Sequence, residues 1–150
     1  MAQFKGIDVS RWQGNINWSA VKTSGIQFAI LKAGGSDAGF YKDPTFEQNY
    51  AGAKAAGVAV GAYYFVGAGC QSRADGVADA NRFKAYLAGK QFEYPVYIDF
   101  EAPAGNNKTG NTEACIGFCQ TMQAAGYYCG IYASDLSGFQ SRLNKGALTF

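Results

Sequence analysis

The chain has no histidine among its 150 residues. That absence removes the Ser–His and Cys–His nucleophile systems and leaves acid–base work to carboxylates, with tyrosine in support. It also counts against zinc, because the four cysteines (Cys70, Cys115, Cys119 and Cys129) lack the short Cys-x-x-Cys spacing of a knuckle. No metal and no other cofactor is expected. Cys115 and Cys119 are four apart and would share one helix face. All four read as reduced, buried residues behaving as small apolar side chains. Charge is sparse as well: the 13 Lys and Arg are spread along the chain against 11 Asp and Glu, for a net charge of +2. That distribution gives nucleic-acid binding no support. No apolar run approaches the roughly 20 residues of a membrane span, so no membrane partner is expected. The opening residues, Met1 to Asp8, lack the apolar stretch of a secretory leader. Synthesis and folding in a cytoplasm follow as the expectation.

What the chain does have is apolar content, 48% of its residues, which suits one domain with its own core across residues 1–150. Its central stretch is Tyr94-Pro95-Val96-Tyr97-Ile98-Asp99-Phe100-Glu101. The β-branched and aromatic run favours a buried strand. Residues two apart on a strand share a face. Asp99 and Glu101 should therefore point together, about 6–7 Å apart at their Cβ atoms, with Phe100 turned away. Two carboxylates ending an apolar strand are costly to hold there, and glycoside hydrolysis is a chemistry that requires such a pair. The same pattern also fits a capped, solvated loop start.

Around this stretch, strands and helices alternate. Phe4–Ser10 reads as a first strand, with Asp8 between Ile7 and Val9, and Trp12 follows in a loop where it serves either the core or a sugar face. Asn17 caps a helix. Gln27–Ala33 is a second strand, followed by a Gly34-Gly35-Ser36-Asp37 loop. Asp43-Pro44 opens a helix ending at Gly57. Val58–Phe65 is a third strand, Ala74–Gly89 a helix, and 103–111 a loop. Thr112–Gly126 is a helix, Tyr127–Ala133 a fifth strand, and Asp135–Leu143 a short last helix. Five βα repeats imply a parallel sheet with both faces covered. Active groups in such folds sit at the C-terminal strand ends, where Asp8, Asp99, Glu101, Tyr63 and Tyr64 all fall.

Gly6-Ile7-Asp8-Val9-Ser10 with Trp12-Gln13-Gly14, Lys32-Ala33, Asp43-Pro44-x-Phe46, Gly61-Ala62-Tyr63-Tyr64-Phe65 and Asp99-Phe100-Glu101 together resemble the glycoside hydrolase family 25 muramidases. The resemblance implies an irregular, TIM-like α/β barrel with parallel strands, and cleavage of peptidoglycan glycan strands beside N-acetylmuramic acid. By resemblance Glu101 is the general acid. Asp99 stabilises the transition state or assists the substrate N-acetyl group, and Asp8 is a further acid of the pocket. Tyr63, Tyr64, Tyr132, Trp12 and Asp37 are the candidate substrate-binding residues. Burial against Phe100 and Tyr63 is expected to raise the pKa of Glu101.

The chain departs from the family pattern at Gly34-Gly35-Ser36-Asp37, where many relatives carry Glu-Gly, and at Tyr64, where relatives often have His. The closing strands of the family, with their Trp-Gln and Asp-x-Asn motifs, are not found before Phe150. The barrel is thus expected to be incomplete, with about five βα units. The first and fifth strands become edges, covered either by missing strands of a longer natural chain or, if these 150 residues are the whole molecule, by a second copy of the chain. Other readings are a chitinase-like hydrolase, which the first-strand motif disfavours, and a catalytically silent glycan-binding module. The expected workplace is the bacterial wall, reached after release from the cell of synthesis.

Overall fold

The computed structural model describes residues 2–149; Met1 and Phe150 lie outside the described residues. Five parallel strands form the sheet in the order β1 (Gly6–Val9), β2 (Phe28–Gly35), β4 (Ala59–Phe65), β5 (Val96–Asp99), β6 (Cys129–Tyr132), and the two-residue β3 (Tyr41–Lys42) lies antiparallel on β2. Each predicted parallel strand is present, trimmed at its ends, except that β2 runs on through Gly34 and Gly35. Those glycines were expected to be loop. Their lack of side chains admits β3: a Cβ on Gly34 would lie 2.2 Å from the Tyr41 carbonyl oxygen. The register also slips between Lys32 and Gly34, where β2 meets β4.

Helices α1 (Trp18–Thr23), α2 (Phe46–Ala55), α3 (Arg73–Leu87) and α4 (Lys108–Ala124) connect the strands. Asn17 caps α1 as expected, accepting from the Ala20 amide at 3.0 Å. For α2 the cap position is Thr45 and not Asp43. The Asp43 carboxylate instead accepts from the Thr45 amide, the Thr45 hydroxyl and the Arg11 amide, tying the loop after β1 to the start of α2. Ser72 caps α3, and Asn107 caps an α4 that starts four residues before its expected Thr112. Asp135–Gln140 forms a π-helical turn, shorter than the predicted helix.

One face of the sheet carries the core. Along β2, Ala29, Leu31 and Ala33 are buried while Phe28, Ile30 and Lys32 are only half-buried; β4 repeats this with Val60, Ala62 and Tyr64 against Tyr63 and Phe65. The buried set packs on Phe46, Phe83, Leu87, Phe118 and Met122 from the helices, each worth roughly 1.5–3 kcal/mol on burial. Helices α3 and α4 approach so closely at Gly76 that a Cβ there would lie 2.0 Å from the Ala114 carbonyl oxygen. The expectation of two covered faces is corrected: the second face is a concave wall left open. A closed barrel would make that wall its interior. Among the described residues the sheet does not close, and β1 and β6 stand at its edges. Cys70, Cys115 and Cys119 are buried and Cys129 half-buried, all four free, with the Cys119 and Cys129 sulfurs 3.3 Å apart.

Candidate active site

The concave wall and the loops at the C-terminal strand ends enclose a cleft of about 570 Å³. Strand register stacks its lining in tiers. Asp8 of β1 lies beside Ile30 of β2. One tier further on, Lys32, Tyr63, Tyr97 and Gly130 stand across β2, β4, β5 and β6. Above them come Phe65, Asp99 and Tyr132. Glu101 lies two residues past Asp99, just beyond the strand, and lines the same cleft. The alternation predicted for this stretch is realised, with Phe100 fully buried on the helix side.

Of the acids, Asp99 is the buried one, 8% exposed, and its Oδ1 has no hydrogen-bond partner among the described residues. Burial first, then a hydrogen bond shared with Glu101 and the charge of Glu101, push its pKa up to about 8. Lys32 pulls the other way, and Asp8 adds to the rise. Asp99 is thus the acid that burial raises most plainly in this cleft. The reason is position: Asp99 ends a strand within the sheet, while Glu101 has left it and is exposed. Tyr63 is held as a neutral phenol by burial and by the charges of Asp99, Asp8 and Asp43. Tyr132, largely exposed, is also raised, mainly by the charge of Glu101.

Trp12 lies at the mouth, 76% exposed, with the Arg11 guanidinium 4.9 Å from its ring centroid. Its open ring removes the core reading. Asp8, Asp99, Glu101, Tyr63, Tyr132 and Trp12 thus share one cleft. Two candidates do not. Tyr64 is fully buried on the helix side, where its hydroxyl donates to Asp79 Oδ1 at 3.0 Å. Being next to Tyr63, it must face the opposite way. Asp37 lies outside the cleft on an exposed loop and accepts from the Tyr41 hydroxyl at 2.8 Å.

Sequence reasoning gave no role to Lys32, Phe65 or Tyr97, which also line the cleft. The Lys32 ammonium sits 4.9 Å from the Phe65 ring centroid and 5.5 Å from that of Tyr41, without an ion pair among the described residues. A lysine inside an apolar strand was the available signal. No group of three His, Cys, Asp or Glu suited to a metal ion occurs among the described residues.

The sequence profile of the glycosyl hydrolases family 25 matches residues 7–147. The chain belongs to this family. Among family 25 relatives it is 47% identical over 85 residues to Lysozyme M1 of Streptomyces globisporus, which is 57% of this chain and 27% of that protein. It is 32% identical over 103 residues to the autolytic lysozyme of Clostridium acetobutylicum, 69% of this chain and 30% of that one. The chain therefore spans less than a third of the length of either relative. Among solved structures, the bacterial lysozyme of Streptomyces coelicolor superposes with a TM-score of 0.65 at 33% identity, over 82% of this chain and 58% of that one. The α/β architecture is thus that of the family's irregular barrel, here open.

Proposed function

We propose that the chain is a peptidoglycan hydrolase, an N-acetylmuramidase cutting between N-acetylmuramic acid and N-acetylglucosamine. The observation that carries this reading is the pair of acids Asp99 and Glu101, one buried and raised in pKa and the other exposed, inside a cleft of about 570 Å³ lined by aromatic side chains. The proton for the reaction is placed on Asp99, the buried member. Glu101, at the mouth, relays it to the glycosidic oxygen as the C–O bond breaks and the bonding electrons leave with that oxygen. Asp99 is then left ionised beside the positive charge developing on the sugar ring, stabilising it or orienting the substrate N-acetyl group, until a water adds to the anomeric carbon and its proton returns to the pair of acids. Asp8 adds negative charge from β1. Tyr63 and Tyr132 supply hydroxyls, and the open face of Trp12 stacks on a sugar ring.

Turbidity clearing of purified cell walls tests the reading, with release of muramic acid reducing ends as its expected product. Binding to walls without release would favour the silent glycan-binding module, which the unclosed sheet supports. Cleavage of chitin in preference to peptidoglycan would favour the chitinase-like alternative. The wall is reached after release from the compartment of synthesis; none of the helices among the described residues is long and apolar enough to cross a membrane.

The partner at the sheet edges belongs to the same proposal. Among the described residues the outer edges of β1 and β6 have no strand beside them, and Tyr128, Tyr132 and Leu136 are exposed at or near β6. A second copy of the chain covering these edges is the assembly proposed. Light scattering at micromolar concentration is expected to give a mass above 16.0 kDa; a stable monomer would overturn it.

A further inference from the structure

Glu101 has to stay at the mouth of the cleft although the strand ends at Asp99 and the next residues form no regular element. Its side chain is exposed, and the last amide bond onto β6 is made one residue earlier, from the Phe100 amide to the Tyr132 carbonyl at 2.8 Å. The fixing contact comes from 41 residues downstream: the Arg142 guanidinium donates to the Glu101 carbonyl oxygen at 2.6 Å. Arg142 is itself held. Its amide donates to the Gly138 carbonyl at 2.8 Å, closing the π-helical turn, and Leu143 beside it is buried.

A second set of bonds ties the same two segments together. Asn111, fully buried in the first turn of α4, donates through its carboxamide to the carbonyl of Ala104 at 2.8 Å and to that of Arg142 at 3.2 Å. Gln71, ahead of α3, donates to the Asn111 side-chain oxygen at 3.1 Å. The Asn144 amide donates to the Thr112 hydroxyl at 2.9 Å. Asn111 thus fixes the loop after Glu101 and the Arg142 segment against one helix end, and Arg142 spans the remaining gap to Glu101 itself.

We infer that Arg142 is a positioning residue for the reaction: through the carbonyl of Glu101 it holds that carboxyl against Asp99 at the cleft mouth. The inference rests on the proposed hydrolase reading for its kinetic consequence, but not for its structural one. Without the guanidinium, the peptide at Glu101 is free to turn, and the carboxyl leaves its partner. Misplacement of a catalytic group by an ångström costs up to about 100-fold in rate.

The test compares the parent chain with Arg142→Met, which keeps the aliphatic stem and removes the donor, and Arg142→Lys, which restores one donor. The carboxyl carbons of Asp99 and Glu101 are titrated by NMR, while the groups that also act on Asp99, Lys32 and Asp8, are left in place. In the Met variant the upper step, near 8 in the parent, is expected to fall by about one unit or more as Glu101 withdraws. Wall lysis is expected to lose about 10–100-fold in kcat with KM little changed, and Lys to recover most of both. An upper step that stays in place in the Met variant overturns the inference, whether or not the parent lyses walls. So does a Met variant that unfolds, since Arg142 would then be a structural strut. A parent that lyses no walls, alongside a Met variant that still loses the upper step, overturns the hydrolase reading and supports the positioning role.

Discussion

Of the three buried aspartates, Asp79 and Asp99 lie on opposite faces of the same sheet, and their surroundings differ. Asp79, on α3, accepts the Tyr64 hydroxyl on one oxygen at 3.0 Å and the Ser36 hydroxyl on the other at 3.1 Å. Asp99 has an oxygen with no partner and a second acid against it. Burial raises the pKa of both. At Asp79 the hydrogen bonds from Tyr64, Ser36 and Cys70 and the charge of Arg82 oppose the rise, whereas at Asp99 Glu101 reinforces it. Burial alone therefore does not mark a reactive acid. What marks it is that its neighbours demand a proton instead of supplying donors. Asp79 is a satisfied joint between the end of β2, β4 and α3, and Asp99 is the candidate reactive acid.

The largest effect that would break this contrast is at the proton carrier. Glu101→Gln keeps the shape and removes the relay, so wall lysis is expected to fall by about 10²–10⁴ with an unchanged melting curve. Lysis near the parental rate would remove Glu101 from the mechanism.

Asp99→Asn should also lose most lysis and, unlike most site changes, should stabilise the protein in alkali. The sign follows from linkage. The folded pKa near 8 lies above the ordinary 3.8, so folding takes up a proton, and that contribution to stability is lost as pH rises through about 8. The Asn variant has no such loss, and its thermal midpoint should exceed the parent's at about pH 9. A lower midpoint there would mean that Asp99 is hydrogen-bonded as an anion. Asp79→Asn is expected to cost about 1–3 kcal/mol at neutral pH, because the new amide group faces one hydroxyl that was donating to the carboxylate.

A pH profile sharpens the comparison with less perturbation. Lysis by the parent should decline above pH 8 as the pair loses its shared proton. A rate flat into strong alkali would count against a carboxyl donor.

The smallest effect separates adjacent tyrosines. Tyr64→Phe removes one donor to Asp79 and is expected to cost about 1 kcal/mol of stability by chemical denaturation, with wall lysis unaltered. A loss of lysis at constant stability would return Tyr64 to the cleft.

The number and direction of the five parallel strands and the shared face of Asp99 and Glu101 were legible in the sequence, whereas the short antiparallel β3 was not. These depend on local rules: apolar runs of strand length, capping residues such as Asn17, and the two-residue alternation of a pleated chain. The same rule, applied to Tyr63 and Tyr64, would have separated them, since neighbours on a strand cannot both face a cleft. Tertiary structure decided the rest. Which acid keeps the proton depends on depth, and the residue that ends the sheet was not readable to within two positions. Lys32 joins the site because register sets it one tier from Asp99. Arg142 reaches Glu101 only because α4 returns the chain to the sheet edge. Such contacts join residues tens of positions apart, and no local pattern encodes them.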